Sequence, residues 1–122
     1  MSEPAHARTF DKSDEVQTFT NGRLEIIRIG GREIGRTVFE PGWRWSNDVK
    51  PIAQTDLCQK HHVGYMVEGK MVVQMADGTE LELTAGSVTE IPPGHDAWTV
   101  GDATCVMIDW GGATNYAKAP GD

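Results

Sequence analysis

Closely spaced turn residues set the strongest limit on what this chain can fold into. From residue 24 onward, short apolar runs are cut every few positions by glycine, proline or Asp-Gly. "LEIIRIG" ends at Gly30-Gly31, "IGRTVFE" at Pro41-Gly42, "VGYMVEG" at Gly69 and "KMVVQMA" at Asp77-Gly78. "LELTAG" stops at Gly86, "SVTEI" at Pro92-Pro93-Gly94, and "AWTVGD" and "ATCVMIDW" complete the set. Runs of this length between turn residues read as strands, several of them paired as hairpins. No segment holds a long apolar period of 3.6, so helices are expected to be few and short or absent. The expected class is therefore all-β, a sandwich or barrel. One long irregular stretch interrupts the pattern, Pro41 to Asp56, and a loop of that length in a small barrel is more often functional than idle.

A chain of 122 residues makes one domain and can bury a core without disulfides or a structural metal. The barrel is expected over residues 23–111. A polar, flexible arm (1–22) precedes it, and a loosely held tail (112–122), rich in glycine and alanine, follows. The net charge of −7, with eleven scattered Lys and Arg, argues against nucleic acid or an anionic membrane as partner. No apolar run approaches the ~20 residues of a membrane span. The opening "MSEPAHARTFDKSDE" lacks the apolar centre of a secretory signal, so a cytoplasmic location is expected. The two cysteines then read as free thiols, with Cys105 buried in an apolar strand.

The chemistry gathers in "TDLCQKHHVGYMVEGK", where Cys58, His61 and His62 lie within five residues. His61 and His62 are neighbours, so on a strand they face opposite sides and only one reaches an interior. Trp43 and Trp45 sit two apart and, if extended, point the same way, with Arg44 turned toward solvent or a partner subunit. Trp45, Trp98 and Met66 are candidates to line a pocket, since small-molecule sites are mostly apolar walls with a few placed polar groups. The bland alternative is that the tryptophans simply fill the core. Asp56 is the candidate for a carboxylate that orients a ligand histidine or acts as a base. Glu90 and Asp96 are expected to serve mainly solubility.

Two blocks, "HHVGYMVEG" and "GSVTEIPPGHDAW", lie about thirty residues apart and flank a hairpin. In this the chain resembles the cupin superfamily, whose small jelly-roll barrel carries two such blocks. Gly86, Pro92 and Gly94 match the second block, Gly69 closes the first, and the likeness runs from about Ile34 to Trp110. It implies a cupin jelly-roll with a metal held inside the barrel. Counted back from Gly69, the family's Glu position falls on His62 and its two His positions on Asp56 and Cys58. Its last ligand falls on Ala97, with a histidine two residues earlier, His95. The ligand set this implies is Cys58, His62 and His95, with His61 as the alternate if the strand bulges.

Thiolate and imidazole together suit zinc, with Fe(II) or another transition metal as the alternative. On a straight strand Cys58 and His62 would stand roughly 13 Å apart, so the chain must turn at Gln59-Lys60. The function expected is a metal-dependent enzyme acting on a small organic molecule by Lewis-acid or metal-water chemistry. A non-catalytic ligand-binding or regulatory module is the alternative, and a Cys58 nucleophile or redox thiol is a third reading. The resemblance also implies a homodimer.

Overall fold

The structure is a computed structural model and describes residues 4–111; the tail assigned to 112–122 lies outside the described residues. After a single 3-10 turn, Phe10–Lys12, nine strands follow: β1 Glu15–Phe19, β2 Gly22–Ile29, β3 Arg32–Phe39, β4 His62–Glu68, β5 Lys70–Met75, β6 Glu80–Thr84, β7 Val88–Ile91, β8 His95–Thr99 and β9 Cys105–Gly111. Two helices of one turn each, α1 Trp45–Asp48 and α2 Lys50–Ala53, sit inside the long loop. The strands form a six-stranded sheet, in the order β1-β2-β3-β9-β4-β7, and a three-stranded sheet, β6-β5-β8. All described pairings are antiparallel. This is the all-β class expected from the turn pattern, arranged as the jelly-roll that the cupin resemblance implies.

The alternation that makes the strands also fills the barrel. Phe39 on β3, Met66 on β4, Met71 and Val73 on β5, Leu83 on β6 and Cys105 and Met107 on β9 all point inward into one core. Each large side chain buried there contributes roughly 1.5–3 kcal/mol. Hairpin turns supply the positive φ that the strand twist demands: Gly30 and Gly31 lie at 57° and 74° between β2 and β3. Gly69, at φ 90°, joins β4 to β5 against the β9 backbone; a Cβ there would stand 2.7 Å from the Thr104 carbonyl oxygen.

The first sheet begins earlier than expected. Residues 15–19, assigned above to the flexible arm, pair with residues 22–26 as β1. Phe19 packs at 6.3 Å on Phe39, and Gln17 is buried beside it. Two inward positions are too few to stand out in a polar segment. Upstream of β1, Arg8 pairs with Asp14 at 3.0 Å and donates to the Arg28 carbonyl, while Phe10 lies under the Arg36 guanidinium.

The long loop closes one end of the barrel. Trp43, Trp45 and Val49 are fully buried there. The segment runs beside β8: the Thr99 amide donates to the Trp43 carbonyl, and the Gly42 amide to the Thr99 hydroxyl. Buried Asp48 accepts from the Arg44 amide and from the Asn21 side chain, tying the loop to the β1–β2 turn.

Candidate metal centre

Three chain segments bring the candidate ligands to one place. His62 is the first residue of β4 and faces inward, opposite Ile91 on β7. His95 is the first residue of β8. Cys58 lies in the stretch before β4 and is held against β8 by backbone bonds: its amide donates to the His95 carbonyl at 2.8 Å, and its carbonyl accepts from Gly94 at 2.7 Å. The chain turns through residues 59–61, so Cys58 and His62 meet across a corner instead of along a strand. The ligand atoms of Cys58, His62 and His95 all lie within 4.8 Å of one another.

Each histidine has its outer nitrogen fixed. His62 Nδ1 is 2.6 Å from Asp109 Oδ2 on β9, and His95 Nδ1 is 2.7 Å from the Pro92 carbonyl. A carbonyl oxygen can only accept, so His95 Nδ1 donates and Nε2 is left as the ligand atom. The same holds for His62 against the carboxylate. Cys58 Sγ then lies 3.6 Å from His62 Nε2. Bond lengths to zinc of ~2.3 Å (S) and ~2.0–2.1 Å (N) in a tetrahedron put S and N roughly 3.6 Å apart, so the pair fits such an ion.

Electrostatics favour the ligand form of the thiol. Burial opposes charge on Cys58, but hydrogen bonds from His62 and His95 outweigh it and lower its pKa to about 6. Burial likewise opposes charge on His62, yet Asp109 and the Cys58 sulfur raise its pKa to about 9. Without an ion the two form a thiolate–imidazolium pair at neutral pH.

A cavity of about 40 Å³ adjoins His62, His95 and Asp109. Its other walls include Leu24, Phe39, Trp43, Trp45, Met71 and Met107. Trp43 and Trp45 thus share it. Both indole N–H groups are buried with no hydrogen-bond partner among the described residues, a state that costs about 1–3 kcal/mol per group when nothing accepts the bond. Ala97, where the family's last ligand falls, contributes a methyl to the same wall.

Several residues lie elsewhere than expected. Asp56 is fully exposed and faces Lys50 at 3.7 Å, so it neither orients a histidine nor reaches the cavity. The turn before Cys58 carries its side chain outward, and Asp109 makes the contact instead. Asp109 escaped sequence reading, although one signal was there: in "CVMIDW" it continues the inward alternation of Cys105 and Met107. Met66 belongs to the core but does not border the cavity. Trp98 lies on the outer side of β8 with the Arg44 guanidinium 4.4 Å above its ring. Arg44 is two-fifths exposed, so it meets solvent as expected, and it also reaches buried Asp96 at 3.1 Å. Asp96 is no solubility residue, for it also accepts from the Ser46 amide. His61 is exposed and lies 3.3 Å from Glu90.

The two-sheet jelly-roll with these inward ligands is the cupin fold. Among solved structures, an RmlC-like cupin from Shewanella frigidimarina superposes with a TM-score of 0.61 at 20% identity, over 93% of this chain and 96% of that one. A protein of unknown function from Rhizobium leguminosarum gives 0.63 at 14% identity, over 89% and 97%. The oxalate decarboxylase of Lactobacillus farciminis, solved as a formate complex, gives 0.57 at 19% identity over 84% of this chain and 32% of that one. No protein-family model matches the sequence, and no curated protein does.

Proposed function

We propose that this protein is a zinc-dependent cupin enzyme acting on a small organic molecule in the closed end of the barrel. The observation that carries the reading is the convergence of Cys58, His62 and His95 within 4.8 Å, with Asp109 and Pro92 fixing which nitrogen of each histidine faces the centre. Three protein ligands leave a fourth position for water or substrate, the open arrangement of catalytic zinc. When bound, zinc would polarise a substrate oxygen or lower the pKa of water. Around it the chain's own residues divide the work: Asp109 holds the His62 Nδ1 proton, the apolar walls exclude bulk water, and the loop carrying Trp43 and Trp45 closes the end. Zinc is preferred to Fe(II) because a thiolate beside an oxidising centre is itself oxidisable. Two free thiols suit a reducing, cytoplasmic compartment.

Metal content tests this reading. The purified protein is expected to hold about one zinc per chain, and Cys58→Ser to lose most of it. Substoichiometric metal, unchanged in Cys58→Ser, would contradict the proposal and leave a non-catalytic ligand-binding barrel.

One observation favours a second reading. Cys58, His62 and Asp109 stand in the order nucleophile, base and orienting carboxylate, at 3.6 and 2.6 Å. On that reading Cys58 alkylates rapidly and added zinc inhibits turnover. On the metal reading zinc slows alkylation and supports turnover.

A homodimer is proposed as well. The outer face of the six-stranded sheet exposes Tyr65, Val67, Val88 and Trp110, and Tyr65 is paired with both Val88 and Ile108. A second copy is the occupant that fits a self-complementary sheet face.

A further inference from the structure

The cavity beside the ligand cluster has an imbalance of hydrogen-bonding groups that bears on what it takes. Both tryptophans on its wall have buried N–H groups without an acceptor among the described residues, Trp43 and Trp45 being 2% and 1% exposed. Indole nitrogen donates and cannot accept. Buried donors are almost always satisfied in native proteins, by protein, water or ligand. Of the polar groups on the same wall, His62 Nδ1 is engaged with Asp109 and His95 Nδ1 with the Pro92 carbonyl, which leaves the Nε2 atoms turned to the proposed metal position. Apart from the Thr37 hydroxyl, the rest of the wall is aliphatic, aromatic or thioether, so a hydroxyl-rich or ammonium-bearing molecule would be stripped of water and find few acceptors for its donors.

Size narrows the choice further. A volume of about 40 Å³ corresponds to about three water-sized groups, at roughly 10–15 Å³ for each. That space suits a ligand group of a few non-hydrogen atoms.

We propose that the cavity takes a short-chain carbonyl compound, a carboxylate or ketone of a few non-hydrogen atoms, whose oxygen accepts from the indole N–H groups of Trp43 and Trp45. This deepens the reading above and depends on it for one feature only, the second anchor at the Cys58–His62–His95 cluster. The two tryptophans are then specificity-determining residues. Their loop both closes the barrel and reads the ligand, and the apolar walls reject molecules carrying donors of their own.

The test is calorimetric titration of the zinc-loaded protein with propionate, acetone and propylammonium, which are similar in size and differ in acceptor and charge, with tryptophan fluorescence as a parallel readout. Propionate or acetone is expected to bind saturably and perturb the fluorescence, and propylammonium is not. Binding of propionate identifies the carboxylate, and binding of acetone alone the neutral ketone. Trp43→Phe and Trp45→Phe keep an aromatic ring and remove the donor. Each is expected to weaken binding at least about tenfold while keeping zinc content and the melting transition. The inference is overturned if neither oxygen probe binds, if propylammonium binds as well as they do, or if both Phe variants bind unchanged. Should the protein hold no zinc, the metal reading fails by itself. The same titrations on the metal-free protein then decide the carbonyl proposal by the same criteria.

Discussion

Asp109 orders the chemistry of the centre although it is not itself one of the proposed ligands. Its carboxylate holds the proton on His62 Nδ1 and keeps that imidazole basic. Partners of this kind are typically worth 10–100-fold in metal affinity. Asp109→Asn is therefore expected to weaken zinc binding by about 10–100-fold without loss of fold, as read by competition with a chelator. The pKa values add a pH dependence whose sign can be worked out. Cys58, lowered to about 6, contributes stability that is present above its unfolded pKa and lost as pH falls through 6. His62, raised to about 9, contributes stability that is present below 6.5 and lost as pH rises through 9. Between about 6.5 and 9 the two trends cancel, because folding moves a proton from sulfur to imidazole and takes up none. Stability of the metal-free protein should be flat there as far as this pair is concerned. Zinc binding must then displace one proton, from His62, since Cys58 is already ionised. Its affinity is expected to rise about tenfold per pH unit over that window, and the slope should flatten above neutrality in Asp109→Asn; a hundredfold rise per unit would contradict the assignment. Cys58 and His62 were legible because a block register counted back from Gly69 reaches them, and His95 because it stands two residues before the register position at Ala97. Asp109 was not, since a single acid in an apolar run gives no register. Asp56 was misjudged because nearness in sequence to Cys58 says nothing of which way a turn directs a side chain.

At the scale of elements, the loop over residues 41–54 depends on an anchor that the strand pattern concealed. Period-two alternation places Asp96 opposite His95 and Ala97, hence outside the barrel, and a surface acid is the natural reading. The loop follows the edge of β8 and folds Arg44 and Ser46 over that side, so Asp96 is sequestered. It accepts from the Ser46 amide at 3.0 Å and from the Arg44 guanidinium. Removing the acceptor leaves a donor of the loop without its partner, whereas Arg44 is two-fifths exposed and can turn to water. Asp96→Ala is expected to cost about 1–3 kcal/mol and Arg44→Ala about 1 kcal/mol or less, measured by urea unfolding. Equal costs, or a larger one for Arg44, would show that the ion pair rather than the backbone anchor holds the loop. Most strands and turns were readable because turn glycines and inward apolar residues agree along β2 to β9. β1 was not, with Phe19 its only large inward side chain. The single-turn helices α1 and α2 are too short for any periodicity to register.

For the whole molecule, two surfaces matter: the end of the barrel with the proposed metal centre, and the outer face of the large sheet. A chain of net charge −7 carrying exposed Tyr65, Val88 and Trp110 on one sheet face is expected to pair through that face. Sedimentation should give twice the chain mass of 13.4 kDa, and Val88→Lys should shift it toward the monomer while sparing zinc content. A wild-type monomer would dismiss the dimer and leave the metal centre untouched, because the centre draws all its groups from one chain. That independence singles out a diffraction measurement at the zinc edge on crystals grown with zinc. The expected result is one anomalous peak per chain, at roughly 2.3 Å from Cys58 Sγ and roughly 2.0–2.1 Å from the Nε2 atoms of His62 and His95. No peak there, with Cys58 still hydrogen-bonded to His62, would contradict the metal centre and turn the same three residues, with Asp109, into a thiol site.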